Sequence, residues 1–261
     1  MDVPIYQVDA FASGLFRGNP AAICPLEFWL PDATLQAIAA ENNLAETAYY
    51  VREPDGYRLR WFTPSVEVDL CGHATLAAAA VMLGIRREAP GPGIAYQTRS
   101  GEVSVKRDGE IYTLDFPSLP PQACDEPVGL FDALGAKPES IYRANRYAMC
   151  VVRTEEEVQV LNPNMLALAN VDCFGVVVTA PGKECDFVSR FFAPRAGIPE
   201  DPVTGSAHST LTPYWSQRLG KKNLFARQIS KRGGELWCED RGVRVGIGGK
   251  AVKYLEGRIS V

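Results

Sequence analysis

Histidine is scarce in this chain, with two in 261 residues, and the seven cysteines at 24, 71, 124, 150, 173, 185 and 238 show no Cys-x-x-Cys spacing. Such scatter and odd number argue against a disulfide framework or a zinc site, and for a reducing compartment. A basic surplus is missing as well: 27 Lys and Arg stand against 31 Asp and Glu, for a net charge of -4. No electrostatic footprint for nucleic acid or an anionic membrane follows from that balance, so neither is expected as a partner. Long apolar runs are absent too, the longest being Leu76 to Leu83, far too short to span a bilayer. The first residues, Met-Asp-Val-Pro-Ile-Tyr, lack the basic-then-apolar pattern of a secretion signal, and a cytoplasmic protein is expected.

What is present is a packed composition, 46% hydrophobic and 22% charged, carrying an internal duplication. The stretch Trp61 to Gly84 runs from Phe62-Thr-Pro64 through an acidic loop to Gly72-His73-Ala74 and an Ala-rich helical run. A degenerate copy begins at Phe191, with Phe192-Ala-Pro194, an acidic loop, and Gly205-Ser206-Ala207. The chain is therefore read as two related halves, residues 1–118 and 119–261, with the final strand either closing the second half or returning to the first. Alternating and helical patterns predict an α+β fold of two pseudo-symmetric domains, each a mixed or antiparallel sheet wrapped around a central apolar helix. Gly84 is expected to cap the first central helix, Pro90 to Gly93 to form a loop, Pro117 to Pro121 to link the halves, and Pro213 to kink or shorten the second helix.

Both histidines, His73 and His208, fall at the two helix starts. Free N–H groups and the partial positive charge of a helix start suit a carboxylate or phosphate, and glycine at positions 72 and 205 lets a ligand approach the backbone. If the halves pack about a pseudo-two-fold axis, both starts face one cleft fit for a small anion. His73, directly after Gly72, is expected nearer the ligand, while His208 packs or orients. Of the loop acids, Glu67, Asp69 and Glu200 are expected as solvated charges and Asp201 as a site residue. Cys71, beside a helix start, is either an activated thiol or buried wall. Gly246-Ile-Gly-Gly249 has no helix after it and reads as a strand bulge or close backbone contact, not a nucleotide loop.

Taken together, Asp9-Ala-Phe, Gly18-Asn-Pro, Asn43-Leu-Ala-Glu46-Thr, Phe62-Thr-Pro, Asp69-Leu-Cys-Gly-His-Ala-Thr75 and Glu200-Asp-Pro-Val-Thr-Gly-Ser-Ala-His208 resemble the PhzF-like phenazine-biosynthesis family. That resemblance implies a diaminopimelate epimerase-like fold, a homodimer, and chemistry without cofactor or metal. It also implies an isomerase similar to trans-2,3-dihydro-3-hydroxyanthranilate isomerase, acting on a small carboxylate. By motif, Glu46 would be the acid/base, with His73, Asp201 and Ser206 as further polar site residues and Gly72 and Gly205 for backbone approach. Such a glutamate is expected to have its pKa raised by burial. The alternatives are a thiol-based epimerase or racemase using Cys71, and a non-catalytic metabolite-binding protein of the same fold.

Overall fold

Strand Asp2–Ala10 lies at the root of the first unit, pairing antiparallel with Asn19–Leu26 on one side and with Ala251–Ser260 on the other. The computed structural model describes residues 1–89, 91–144 and 146–261. They divide into two units, Met1–Asp115 with Gly248–Val261, and Phe116–Ile247. Pro90, and with it the start of the expected 90–93 loop, lies outside the described residues. No helix among the described residues is long and apolar enough to cross a membrane.

In the first unit, Asn19–Leu26 runs parallel to Glu46–Glu53, and helix α1 (Asp32–Asn42) forms the crossover. Its buried Leu35, Ile38 and Ala39 share one face, and the chain leaves through Asn43 in the left-handed region. Glu46–Glu53 then makes a hairpin with Gly56–Phe62, which pairs antiparallel with the short Glu67–Val68 and parallel with Gly93–Thr98. The second crossover holds α2 (Gly72–Ala79), in which every residue is buried. It continues as a π-helical segment through Ala80–Ile85. Gly84 is therefore inside the helix and not its cap. A side chain there would meet the Tyr112 ring, so glycine serves close packing at this point.

The second unit repeats this order of pairings. Ser140–Ala144 is antiparallel to Tyr147–Val151, which runs parallel to Gly175–Pro181. That strand is antiparallel to Phe187–Ala193, which takes Ile198–Asp201 antiparallel and Asn223–Gln228 parallel. Two short helices, α3 (Leu130–Leu134) and then α4 (Glu155–Gln159), precede α5 (Met165–Leu168), and α4 and α5 occupy the place of α1. Pattern alone assigns no element at α4 and α5, because neither completes two helical turns. A 3₁₀ turn, Gly205–Ala207, leads into α6 (His208–Leu219), which ends at Gly220 with φ +66. This central helix is buried along its first turns like α2, but on hydroxyl-bearing residues: Ser209, Thr210 and Thr212 are all in the core.

Pro213 sits inside α6 without ending it. Proline lacks the N–H that would bond the carbonyl four residues back, that of Ser209. The Leu119 N–H takes that carbonyl instead at 2.9 Å. The 117–121 segment is thus fastened to the central helix by the bond the proline leaves open.

Two glycines of the early motifs are explained by space. Gly249 packs against Phe11, whose Cα lies 3.1 Å from where a Cβ would stand. Gly18 has φ +72, and a Cβ there would clash with the Ala10 carbonyl and sit 2.9 Å from the Ala12 Cβ. Gly18→Ala should therefore cost about 2–4 kcal/mol, from left-handed strain plus overpacking, read as a lowered urea midpoint.

Candidate active site

Glu46 is the first residue of its strand, in register with Ala21. Cys71 is extended, with φ -142, and the chain turns into α2 at Gly72, putting His73 in the first turn. The Thr75 hydroxyl donates to the Cys71 carbonyl at 2.6 Å and holds that turn shut. The result is a buried cluster: His73 Nε2 lies 3.0 Å from Glu46 Oε2, and Nδ1 has the Cys71 sulfur at 3.5 Å and the Asn19 amide nitrogen at 3.3 Å. Oε2 and Nε2 are shielded from solvent and their approach, though close, is out of line for a hydrogen bond.

The Asn19 amide and the Cys71 sulfur both lie within reach of Nδ1, and which of them donates or accepts follows the protonation of the ring. Burial opposes the charge on both Glu46 and His73. The Glu46 carboxyl is nevertheless held below its usual range by the His73 imidazolium. Burial likewise disfavours the His73 cation, and the neighbouring Cys71 sulfur and Glu46 carboxylate outweigh it, holding its pKa well above the ordinary value. The expectation of a raised Glu46 is thus reversed: a buried carboxylate beside a buried imidazole is stabilised by its partner more than burial destabilises it.

Cys71 goes the other way. It is 8% exposed, and burial together with the Glu46 charge pushes its thiol up to about 11. The activated thiolate is not what this neighbourhood favours. Glu46, Cys71 and His73 do present ligand atoms within 4.8 Å of one another. A metal there would need the thiol and the imidazolium both deprotonated, against the protonation that these surroundings favour.

In the second unit the loop before α6 is held by its own backbone and by one buried amide. Gln228, 1% exposed, accepts from the Thr204 N–H at 2.9 Å and donates to the Asp201 carbonyl at 2.8 Å. The Thr204 hydroxyl donates to Asp201 Oδ2 at 2.5 Å. His208 Nδ1 donates to the Thr204 carbonyl at 2.9 Å, and burial pushes its pKa down to about 4, so it is a neutral brace. Gly205 is buried and Ser206 half-buried, its hydroxyl 3.2 Å from that of Tyr147. The first unit thus gathers Glu46, Gly72 and His73, and the second gathers Asp201, Gly205 and Ser206.

Of the three loop acids expected as solvated charges, Asp69 is exposed as expected, whereas Glu67 and Glu200 are paired. Glu67 takes a two-pronged bond from Arg60, at 2.7 and 2.8 Å, and Glu200 takes one from Arg190, at 2.6 and 2.9 Å. Each guanidinium also lies over a phenylalanine, Arg60 over Phe62 at 5.1 Å and Arg190 over Phe192 at 4.9 Å. The signal was in the sequence as Arg-x-Phe-x-Pro, at Arg60 to Pro64 and Arg190 to Pro194. Tyr147 and Gln228 carried no such signal, and Asn19 only its place in the Gly18-Asn-Pro motif. Gln228→Leu should leave the Thr204 N–H without its partner and remove one donor to the Asp201 carbonyl, costing about 1–3 kcal/mol in chemical denaturation.

The family model PhzC-PhzF, described as phenazine biosynthesis-like protein, matches residues 8–257. A protein of Pseudomonas aeruginosa named as an uncharacterized isomerase is 51% identical over 259 residues, covering 99% of each chain. An uncharacterized isomerase of Halalkalibacterium halodurans is 44% identical over 263 residues, with 99% of each chain covered. The crystal structure of a PhzF-family phenazine biosynthesis protein from Enterococcus faecalis superposes with a TM-score of 0.97 at 46% identity, over 100% of both chains. On those matches, the chain belongs to the PhzC-PhzF family of phenazine biosynthesis-like proteins.

Proposed function

We propose that this chain is a cofactor-independent isomerase that moves a proton within a small carboxylate metabolite, with Glu46 as the single base. The observation that carries this is the buried Glu46–His73 pair, which favours the ionised carboxylate in the resting protein. An ionised Glu46 accepts a proton from a carbon activated by conjugation, becomes a carboxylic acid, and returns the proton to another carbon on the same face. The electron pair left on the substrate is delocalised and returns to form the new C–H bond, so nothing is oxidised or reduced. Such acid/base work typically contributes about a hundredfold to ten-thousandfold. His73 offers a ring N–H to the negative charge that develops, and Gly72 offers backbone N–H. Asp201, Gly205 and Ser206 are the polar groups of the second unit in this reading.

Support also comes from relatives named as isomerases and matched along nearly their whole length. The thiol-based alternative fares worse, because a base with a pKa near 11 starts as the protonated thiol. Cys71→Ala separates the two readings: proton transfer survives under the Glu46 assignment and is lost under the other.

Incubation with a metabolite extract in deuterated water should label one small carboxylate, identified by mass spectrometry. Glu46→Gln should lower that incorporation at least about a hundredfold, and full incorporation by this variant would overturn the assignment.

The pair also sets a pH dependence. With Glu46 lowered from 4.5 and His73 raised from 6.5, its contribution to stability is complete between those two values. It fades as pH falls through the lowered Glu46 value, and fades again as pH rises from 6.5 through the raised His73 value. In His73→Gln both flanks should flatten, measured by unfolding midpoints across pH.

A further inference from the structure

In the second unit an open, shallow pocket of about 440 Å³ is lined by Arg143, Arg146, Asp172, Cys173, Phe174 and Arg195. Three arginines against one aspartate leave a surplus of two positive charges, in a chain whose net charge is -4. Like charges held together are unfavourable unless something balances them. Nothing among the described residues does so fully. Arg146 lies flat on Phe174, its guanidinium carbon 3.8 Å from the ring centroid, and no carboxylate among the described residues is within ion-pair distance of it. Arg143 donates at 3.0 Å to the backbone carbonyl of Asp172. Arg195 reaches the Asp172 carboxylate at 3.4 Å, and that side chain is 95% exposed.

Elsewhere the same chain shows how it treats a structural arginine. Arg60 and Arg190 each have a bidentate carboxylate and an aromatic face. Arg146 keeps the aromatic face and lacks the carboxylate. Stacking on Phe174 orients the guanidinium plane and leaves its N–H edge available, the arrangement that recognises a carboxylate or phosphate two-pronged. The pocket size suits a small molecule carrying more than one such group. It also abuts the loop before α6. The Phe174 ring is 6.1 Å from that of Tyr147, which holds Ser206, and Arg195 belongs to the turn Pro194–Ala196 that leads into Ile198–Asp201.

We propose that the Arg143, Arg146 and Arg195 pocket is a binding subsite for a small oligo-anion, phosphorylated or polycarboxylate. It stands independently of the Glu46 reaction.

Calorimetric titration of the whole chain at fixed ionic strength, with inorganic pyrophosphate and separately with citrate, tests the subsite and its ligand. Saturable binding is expected for at least one anion. Pyrophosphate alone would identify a phosphoryl ligand; citrate, alone or equally well, would identify a carboxylate ligand. Arg146→Gln and Arg195→Gln should each weaken binding about tenfold or more, the loss of one charge-assisted contact. Arg52→Gln, an exposed arginine outside the pocket, should not. Glu46→Gln should bind like the wild type, so the result is separable from the fate of the proton-transfer reading. These arginines are exposed, so each variant should fold, as circular dichroism would check. No saturable binding of either anion, or weakening in Arg52→Gln equal to that in Arg146→Gln, overturns the proposal.

Discussion

Two buried ionisable groups, Glu46 and His73, are each tolerable because the other is there. Either alone would carry an unpaired charge or lose it, since burial penalises both. Their 3.0 Å approach imposes demands on three separate pieces of chain. A strand must begin at Glu46, a helix must begin at Gly72 so that His73 falls in its first turn, and the Gly18-Asn19 turn must bring an amide to the far ring nitrogen. The left-handed Gly18, crowded against Ala10 and Ala12, makes sense in that light. The fold of the first unit is the means by which these three pieces keep their register.

The second unit meets a similar demand with different chemistry. No glutamate and no ionised histidine sit at its helix start. Gln228 and His208 instead brace the backbone of Thr204 from either side, and the hydroxyl of that threonine fixes Asp201. What the two units share is the clamp before each helix, an arginine laid on a phenylalanine and gripping a loop glutamate. A bidentate, half-buried pair of this kind has the geometry in which an ion pair contributes. The two units share the scaffold of the loop and differ in the chemistry at its end.

Much of this was legible in the sequence. Alternation, turns and the repeated Phe-x-Pro to Gly-x-Ala segment give the α+β fold and the positions of both central helices. The PhzF-like motifs name the residues that the structure gathers in each unit. Charge states were not legible, because they depend on distance: Glu46 and His73 are far apart in sequence, and only the fold shows which of burial and pairing wins. Gln228 was invisible for a related reason. A buried glutamine in a strand has no periodic or spacing signature, and its role exists only once Asn223–Gln228 lies beside the α6 loop. Gly84 misled because a glycine after an apolar run matches a helix cap, whereas here it is spacing for Tyr112.

The proline inside α6 carries a consequence for how the second unit becomes complete. By withholding one N–H, Pro213 turns the buried Ser209 carbonyl into a reserved socket, and the plug is the backbone of Leu119, from a stretch that by composition looks like a loose connector. A central helix that contained its own full set of bonds could mature without that stretch. This one cannot satisfy its core until the connector has threaded into place. The chain entering the second unit is therefore a structural member of it, and its natural beginning lies upstream of Leu119.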